Sequence, residues 1–126
     1  SDPWCGGSMR ILIVDDSPII IERLLDSLKD HETVKTITTA PDYRSALQLL
    51  QDDTPHFVLL DIHLPDKSGI DLLKLIVKEY PLVKVIMFSN LLDEKYIKVC
   101  RKIGAKYFID KSRDFEQIPG MLNNMT

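Results

Sequence analysis

The sequence predicts a doubly wound α/β domain, in which a five-stranded parallel sheet carries helices on both faces. Three observations lead to this. Four short apolar runs, at residues 11–14, 57–60, 83–88 and 107–109, do not alternate with polar residues, as expected of strands covered on both faces. Segments with helical apolar spacing follow each strand candidate, so the order is βα repeated five times, and parallel strands joined by helices have both faces covered. The chain is also the right size: 126 residues, 44% hydrophobic and 28% charged, suit one domain with a buried core and not a disordered chain.

Each element has its own signals. Residues 11–14 form the first strand. Ser17 and Pro18 then read as an N-cap followed by proline at the first helical position, with Ile20, Leu24 and Leu28 on one face of the helix and Ile21 and Leu25 widening it. Residues 33–39 alternate Val34 and Ile37 imperfectly among Thr and Lys, which fits an edge strand. Tyr43, Ala46, Leu47 and Leu50 mark the second helix, and residues 57–60 the third strand. Ser68 with Asp71 makes a capping-box pattern before a helix bearing Leu72, Leu73, Ile76 and Val77. After the fourth strand, Tyr96, Val99, Cys100 and Ile103 share a helical stripe that Gly104 ends. Beyond residues 107–109, Ser112 can cap a last helix lined by Phe115, Ile118, Leu122 and Met125. For five such units the expected strand order is 2-1-3-4-5, the flavodoxin-like arrangement.

Composition excludes several classes. Sixteen Lys plus Arg against nineteen Asp plus Glu leave a net charge of −3, which argues against direct nucleic-acid binding. No apolar run approaches the roughly eighteen residues of a membrane span, so no membrane role is expected and a cytoplasmic location is. Cys5 and Cys100 make no disulfide framework, and no Cys/His spacing suggests zinc. Residues 1–8, SDPWCGGS, read as an expression-tag remnant ahead of a domain spanning 9–126. Cys100 then reads as a small core hydrophobe.

Function shows in the polar residues that end the strands, because ligands of open α/β sheets sit beyond the carboxyl edge. The first strand ends at Asp15 and Asp16, the third at Asp61, the fourth at Ser89 and Asn90, and the fifth at Asp110 and Lys111. Converging carboxylates repel one another unless a cation compensates. A hard divalent ion such as Mg²⁺ suits oxygen ligands and can neutralise a transferring phosphoryl group. Aspartate is a nucleophile towards phosphorus, Lys111 suits phosphate oxygens, and Ser89 can donate a hydrogen bond to one. These residues suit Mg²⁺-assisted phosphoryl transfer to an aspartate.

With ILIVDDS at 11–17, VLLDIHLPDKSG at 58–69, MFSN at 87–90 and GAKYFIDKS at 104–112, the sequence from Met9 onward resembles the receiver domain of two-component response regulators, the CheY-like domains. The resemblance implies that Asp61 is the phosphoacceptor. It implies that Asp15 and Asp16 hold Mg²⁺ together with Asp61 and the backbone carbonyl of His63. Ser89 would contact the phosphoryl group, Lys111 would pair with it, and Phe108 would be the aromatic switch whose rotamer follows the Ser89 hydroxyl. A sensor histidine kinase or phosphotransfer protein would supply the phosphoryl group. The face made by helix four, strand five and helix five would meet a downstream target or an effector domain outside this chain, or a second copy of the domain. Such a domain assists its own phosphorylation and dephosphorylation without being an enzyme in the ordinary sense.

Departures from the family pattern carry expectations of their own. Ser112 stands where a proline with a cis bond is usual, and because a non-proline cis bond costs about 2.5–4 kcal/mol the Lys111–Ser112 bond should be trans. Asp110 sits beside Lys111 and should compete for it in a surface ion pair. His63 and Leu91 occupy positions that tune dephosphorylation in the family, and His63 should face solvent or lie over the site mouth. An aspartyl-phosphate phosphatase or phosphotransferase would have a second Asp where His63 stands. A nucleotide or flavin domain would need a glycine-rich cradle that is absent. The remaining alternative is a degenerate receiver that works as a phosphorylation-independent interaction module.

Overall fold

A computed structural model describes residues 9–90 and 94–125. The reading of residues 1–8 as a tag remnant, and the position of Leu91, lie outside the described residues. In chain order the elements are β1 (Met9–Val14), α1 (Pro18–Leu28), β2 (Val34–Ala40), α2 (Tyr43–Asp52), β3 (Phe57–Leu60), α3 (Gly69–Glu79), β4 (Lys84–Ser89), α4 (Glu94–Ile103), β5 (Tyr107–Asp110), a 3-10 turn (Phe115–Gln117) and α5 (Ile118–Met125). The strands form one sheet in the order β2-β1-β3-β4-β5, every pairing parallel, as the sequence predicts.

Successive strand residues point to opposite faces, and the two faces bury separate cores. Leu12, Val14, Val58, Leu60, Val85 and Met87 face α2, α3 and α4. Ile11, Ile13, Phe57, Leu59, Ile86 and Phe88 face α1 and α5. Both sets are buried, which is why these runs are apolar without alternation. The predicted edge strand, β2, pairs with β1 alone.

Local chemistry sets the element ends. Pro18 opens α1 and the Ser17 hydroxyl accepts from the Ile20 amide; the Ser68 hydroxyl caps α3 in the same way through Ile70. Gly104 ends α4 with φ 137°, a conformation that side chains with a Cβ resist. The Val83 amide turns back to the Tyr80 carbonyl, so β4 begins one residue later than its apolar run. Among the described residues no peptide bond is cis, which agrees with a trans Lys111–Ser112 bond.

Two sequence expectations need correction. Ser112 does not cap the last helix: its hydroxyl and amide both bind the Asp110 carboxylate, a 3-10 turn intervenes, and α5 begins only at Ile118. Leu25, Val77 and Val99 were placed on apolar helix stripes but lie 38–41% exposed. Each sits at the margin of its stripe, where the helix surface curves away from the sheet.

Candidate functional site

The carboxyl edge of the sheet assembles the site, because the ladders carry one residue past each strand. The Asp15 amide bonds the Ala40 carbonyl, the Asp61 amide bonds that of Val14, and the Lys111 amide bonds that of Ser89. Asp15, Asp61, Ser89 and Lys111 therefore stand in lateral order along one edge. Adjacent strands are about 4.8 Å apart, so only a long side chain from the outermost strand can reach the central two. Lys111 does this. Its Nζ lies 3.0 Å from Asp61 Oδ2 and also contacts Asp15 Oδ2, and it sits over the buried Phe88 ring, 5.5 Å from the centroid.

Burial makes this pairing consequential. Asp15, Asp61, Ser89 and Lys111 are all buried, whereas Asp16 is exposed at the rim. Burial pushes the Asp15 carboxyl above its ordinary range, and the Asp61 charge adds to the rise, while Lys111 and the Ser17 amide pull it back. Burial is thus the larger influence on Asp15, and the lysine offsets it only in part. Asp15 Oδ1 is fixed by the Ser17 amide at 2.9 Å, and Asp61 Oδ1 by the His63 amide at 3.3 Å.

Asp15, Asp16 and Asp61 each present an oxygen within 4.8 Å of the others. An all-oxygen set of carboxylates beside a single cation fits Mg²⁺, a hard ion that takes one or a few carboxylates and keeps open positions for water and phosphate. The Ser89 hydroxyl is buried and has no hydrogen-bond partner among the described residues. A buried hydroxyl without a partner costs free energy, and this one sits at the same edge as Lys111 and Asp61.

The remaining expected site residues fall around this centre. The His63 side chain is exposed, as expected, and its ring meets Tyr96 of α4 edge-on at 5.7 Å. Phe108 is half-buried, packed on the α2–α3–α4 side, with the Arg101 guanidinium 5.3 Å from its ring centroid. The expected competition of Asp110 for Lys111 is corrected. Asp110 turns outward to the Ser112 hydroxyl and amide and to Arg113, and these bonds hold its carboxyl below the usual range. Ser112, rather than Lys111, is the donor within its short reach.

Sequence reasoning missed two contributors. Phe88 enters the sequence pattern only as the last residue of the fourth apolar run. Asp66 was not singled out at all, although it ties the β3–α3 loop to α2; its amide partners are 22 and 23 residues away, and no local pattern announces them.

Comparison with known proteins agrees with this geometry. The family model described as response regulator receiver domain matches residues 11–123. The chain is 36% identical over 111 residues to a protein-glutamate methylesterase/protein-glutamine glutaminase of Pyrococcus abyssi, covering 86% of this chain and 30% of that protein. It is 31% identical over 110 residues to the transcriptional regulatory protein LnrK of Bacillus subtilis, covering 87% and 50%. The chain thus spans a third to a half of the length of these relatives. The isolated REC domain of RcsB from Salmonella enterica serovar Typhimurium superposes with a TM-score of 0.86 at 22% identity, covering 94% of this chain and 88% of that one, which is a likeness of fold. With the family model spanning nearly the whole of the described fold, this chain belongs to the response regulator receiver domains of two-component systems.

Proposed function

We propose that Asp61 is the phosphoacceptor of this receiver domain and that Asp15, Asp16, Asp61 and the His63 backbone carbonyl hold Mg²⁺ beside it. The observation that carries this reading is the Lys111 ammonium between the buried carboxylates of Asp15 and Asp61, at the same sheet edge as a buried Ser89 hydroxyl that has no partner among the described residues. A sensor histidine kinase or phosphotransfer protein presents phosphohistidine. The Asp61 carboxylate attacks phosphorus in line; the Asp61 O–P bond forms, the P–N bond breaks, and the imidazole leaves. Mg²⁺, when held there, offsets the negative charge of the acids and of the phosphoryl oxygens.

The chain's own groups do the rest. Lys111 holds a phosphoryl oxygen by a charge-assisted bond, and Ser89 donates its hydroxyl to another. As Ser89 moves to that oxygen, Phe108 changes rotamer and the α4–β5–α5 face is altered for a downstream target, an effector domain outside this chain or a second copy. Hydrolysis of the acyl phosphate resets the site, so the domain is both catalyst and substrate of its own cycle, with no separate substrate of its own. Its place is the cytoplasm.

Intact mass after incubation with Mg²⁺ and acetyl phosphate tests this, with Asp61→Asn as control. One added phosphoryl group in the parent, absent from the variant and absent without metal, is the expected result. No addition to a folded parent would overturn the reading and favour a phosphorylation-independent interaction module.

A further inference from the structure

The loop that follows the phosphoacceptor is held at both ends by the fold. The Gly69 amide bonds the Ile62 carbonyl at 2.7 Å, and a Cβ at Gly69 would stand 1.9 Å from the Asp61 carbonyl oxygen. The tip between them carries His63, whose amide bonds Asp61 Oδ1 at 3.3 Å. It is also fastened to another helix. Asp66 Oδ1 accepts from the Tyr43 amide at 2.9 Å and Oδ2 from the Arg44 amide at 3.1 Å, while the Lys67 amide returns to Oδ1 at 2.9 Å. The Lys67 ammonium lies 4.7 Å from the Tyr43 ring centroid, a second link between the same two segments.

This arrangement completes the start of α2. A helix begins with amides that have no partner inside it. In α2 the Asp42 carboxylate takes the Ser45 amide and the Asp42 carbonyl takes that of Ala46, which leaves Tyr43 and Arg44. Asp66 takes both. Its negative charge also lies at the positive end of the helix dipole. Loss of hydration pushes its carboxyl up, but the backbone bonds from Tyr43, Arg44, Lys67 and Asp66 itself together outweigh it and hold the group below the usual range. Asp42 is the N-cap residue itself, and Asp66 serves the two amides that Asp42 leaves. Asp66 adds a tie across the carboxyl edge, from α2 to the loop bearing His63.

We propose that Asp66 is a positioning residue for metal binding: by anchoring the loop tip to the α2 N-terminus it holds the His63 backbone carbonyl in place for Mg²⁺. This rests on the Mg²⁺ reading above and adds to it a residue that touches neither metal nor phosphoryl group.

The test is a Mg²⁺ titration of the whole chain, followed by the amide NMR shifts of residues 11–17 and 57–63, for the parent and for Asp66→Ala, Asp66→Asn and Asp42→Ala. Partners one shell out from a metal ligand change affinity by about 10–100-fold; acting through a backbone carbonyl, Asp66→Ala should weaken Mg²⁺ by roughly tenfold. Asp66→Asn keeps one acceptor oxygen and should fall between. Asp42→Ala removes a cap from the same helix without loosening the loop, so its affinity should stay within about twofold of the parent although it is less stable. Equal Mg²⁺ affinity in the parent and both Asp66 variants, or an equal loss in Asp42→Ala, would overturn the proposal, because stability of α2 would then be the whole effect. A parent whose shifts do not respond to Mg²⁺ overturns the metal reading itself.

Discussion

Replacing Lys111 with Met tests the electrostatics of the site without touching an acid. The lysine is 5% exposed, Asp15 is fully buried and the Asp61 side chain is 7% exposed. At 3.0 Å and an effective dielectric of about 20, the Lys111–Asp61 attraction is about 5 kcal/mol before desolvation is counted. Much of that is offset by the cost of burying the ammonium, but removal of one partner leaves the acids buried with no cation. Such one-sided losses cost about 3–5 kcal/mol. For a domain of this size that lowers the melting temperature by about 10 °C or more. The assay is urea and thermal unfolding in EDTA and again with saturating Mg²⁺. In EDTA the variant should lose stability with no change in denaturant slope. Mg²⁺ at a hundred times its dissociation constant contributes about 2.7 kcal/mol, so it should recover much of the loss. Adding Asp61→Asn should relieve the variant in metal-free buffer, a coupling that a double-mutant cycle measures. A Lys111→Met protein as stable as the parent in EDTA would refute the reasoning, because the two buried acids would then not depend on the lysine.

Other perturbations follow from the same geometry. Gly69→Ala drives a methyl group against the Asp61 backbone carbonyl, and overpacking against main chain should cost about 3 kcal/mol in the urea midpoint and lower phosphoryl acceptance with it. Cys100 is buried, and burial pushes its thiol up; in a Cys5→Ser background, its reaction with a thiol reagent should therefore track global unfolding. The buried His56 ring accepts the Arg10 amide through Nδ1 at 2.9 Å, so His56→Phe strands that amide and should cost about 1–3 kcal/mol by urea unfolding. The Asp66 carboxyl is held below its ordinary range, so its contribution to stability is present above about pH 4 and is lost as pH falls through the lower folded value. The difference in melting temperature between parent and Asp66→Ala should accordingly shrink on acidification, and a difference unchanged at pH 2.5 would argue against the charged cap.

How much could be read in advance depended on the range of each interaction. Strand ends were legible because period and polarity are local: Val14 gives way to Asp15 and Leu60 to Asp61 within one residue, and the ladder carries that step directly to the sheet edge. The two cores follow from the same alternation. Legibility failed where a side chain had two possible partners or one far along the chain. Ser112 could cap a helix or bond Asp110, and the carboxylate two residues away was the nearer acceptor. Asp110 could pair with Lys111, but a lysine whose stem crosses towards Asp61 has left its neighbour behind. Asp66 meets amides more than twenty residues distant, a contact that exists only once β2 and β3 have been placed around β1.

The balance of charge at the sheet edge bears on why phosphorylation should move this domain and not merely decorate it. Three acids and one lysine leave the site two negative charges in excess, and a bound Mg²⁺ would cancel them. In that state Ser89 has a buried hydroxyl with no partner among the described residues. Converting Asp61 to its acyl phosphate, as proposed, would add charge and acceptor oxygens where Lys111 and any bound metal already face other acids. Among the described residues Ser89 is an uncommitted donor at this edge, and a hydroxyl gaining a charged acceptor is worth about 1.5–3 kcal/mol. Ser89 ends β4 beside Asp110 in the ladder register, two places from the Met87–Phe108 pair. A shift of Ser89 is therefore felt by the strand that carries Phe108. If Phe108 turns as proposed, it gives up the Arg101 guanidinium over its ring, a contact worth about 0.5–1 kcal/mol at an exposed site. The gain exceeds the restraint, but by no more than a few kcal/mol, the range in which an equilibrium is shifted strongly by a phosphoryl group and restored when it is lost.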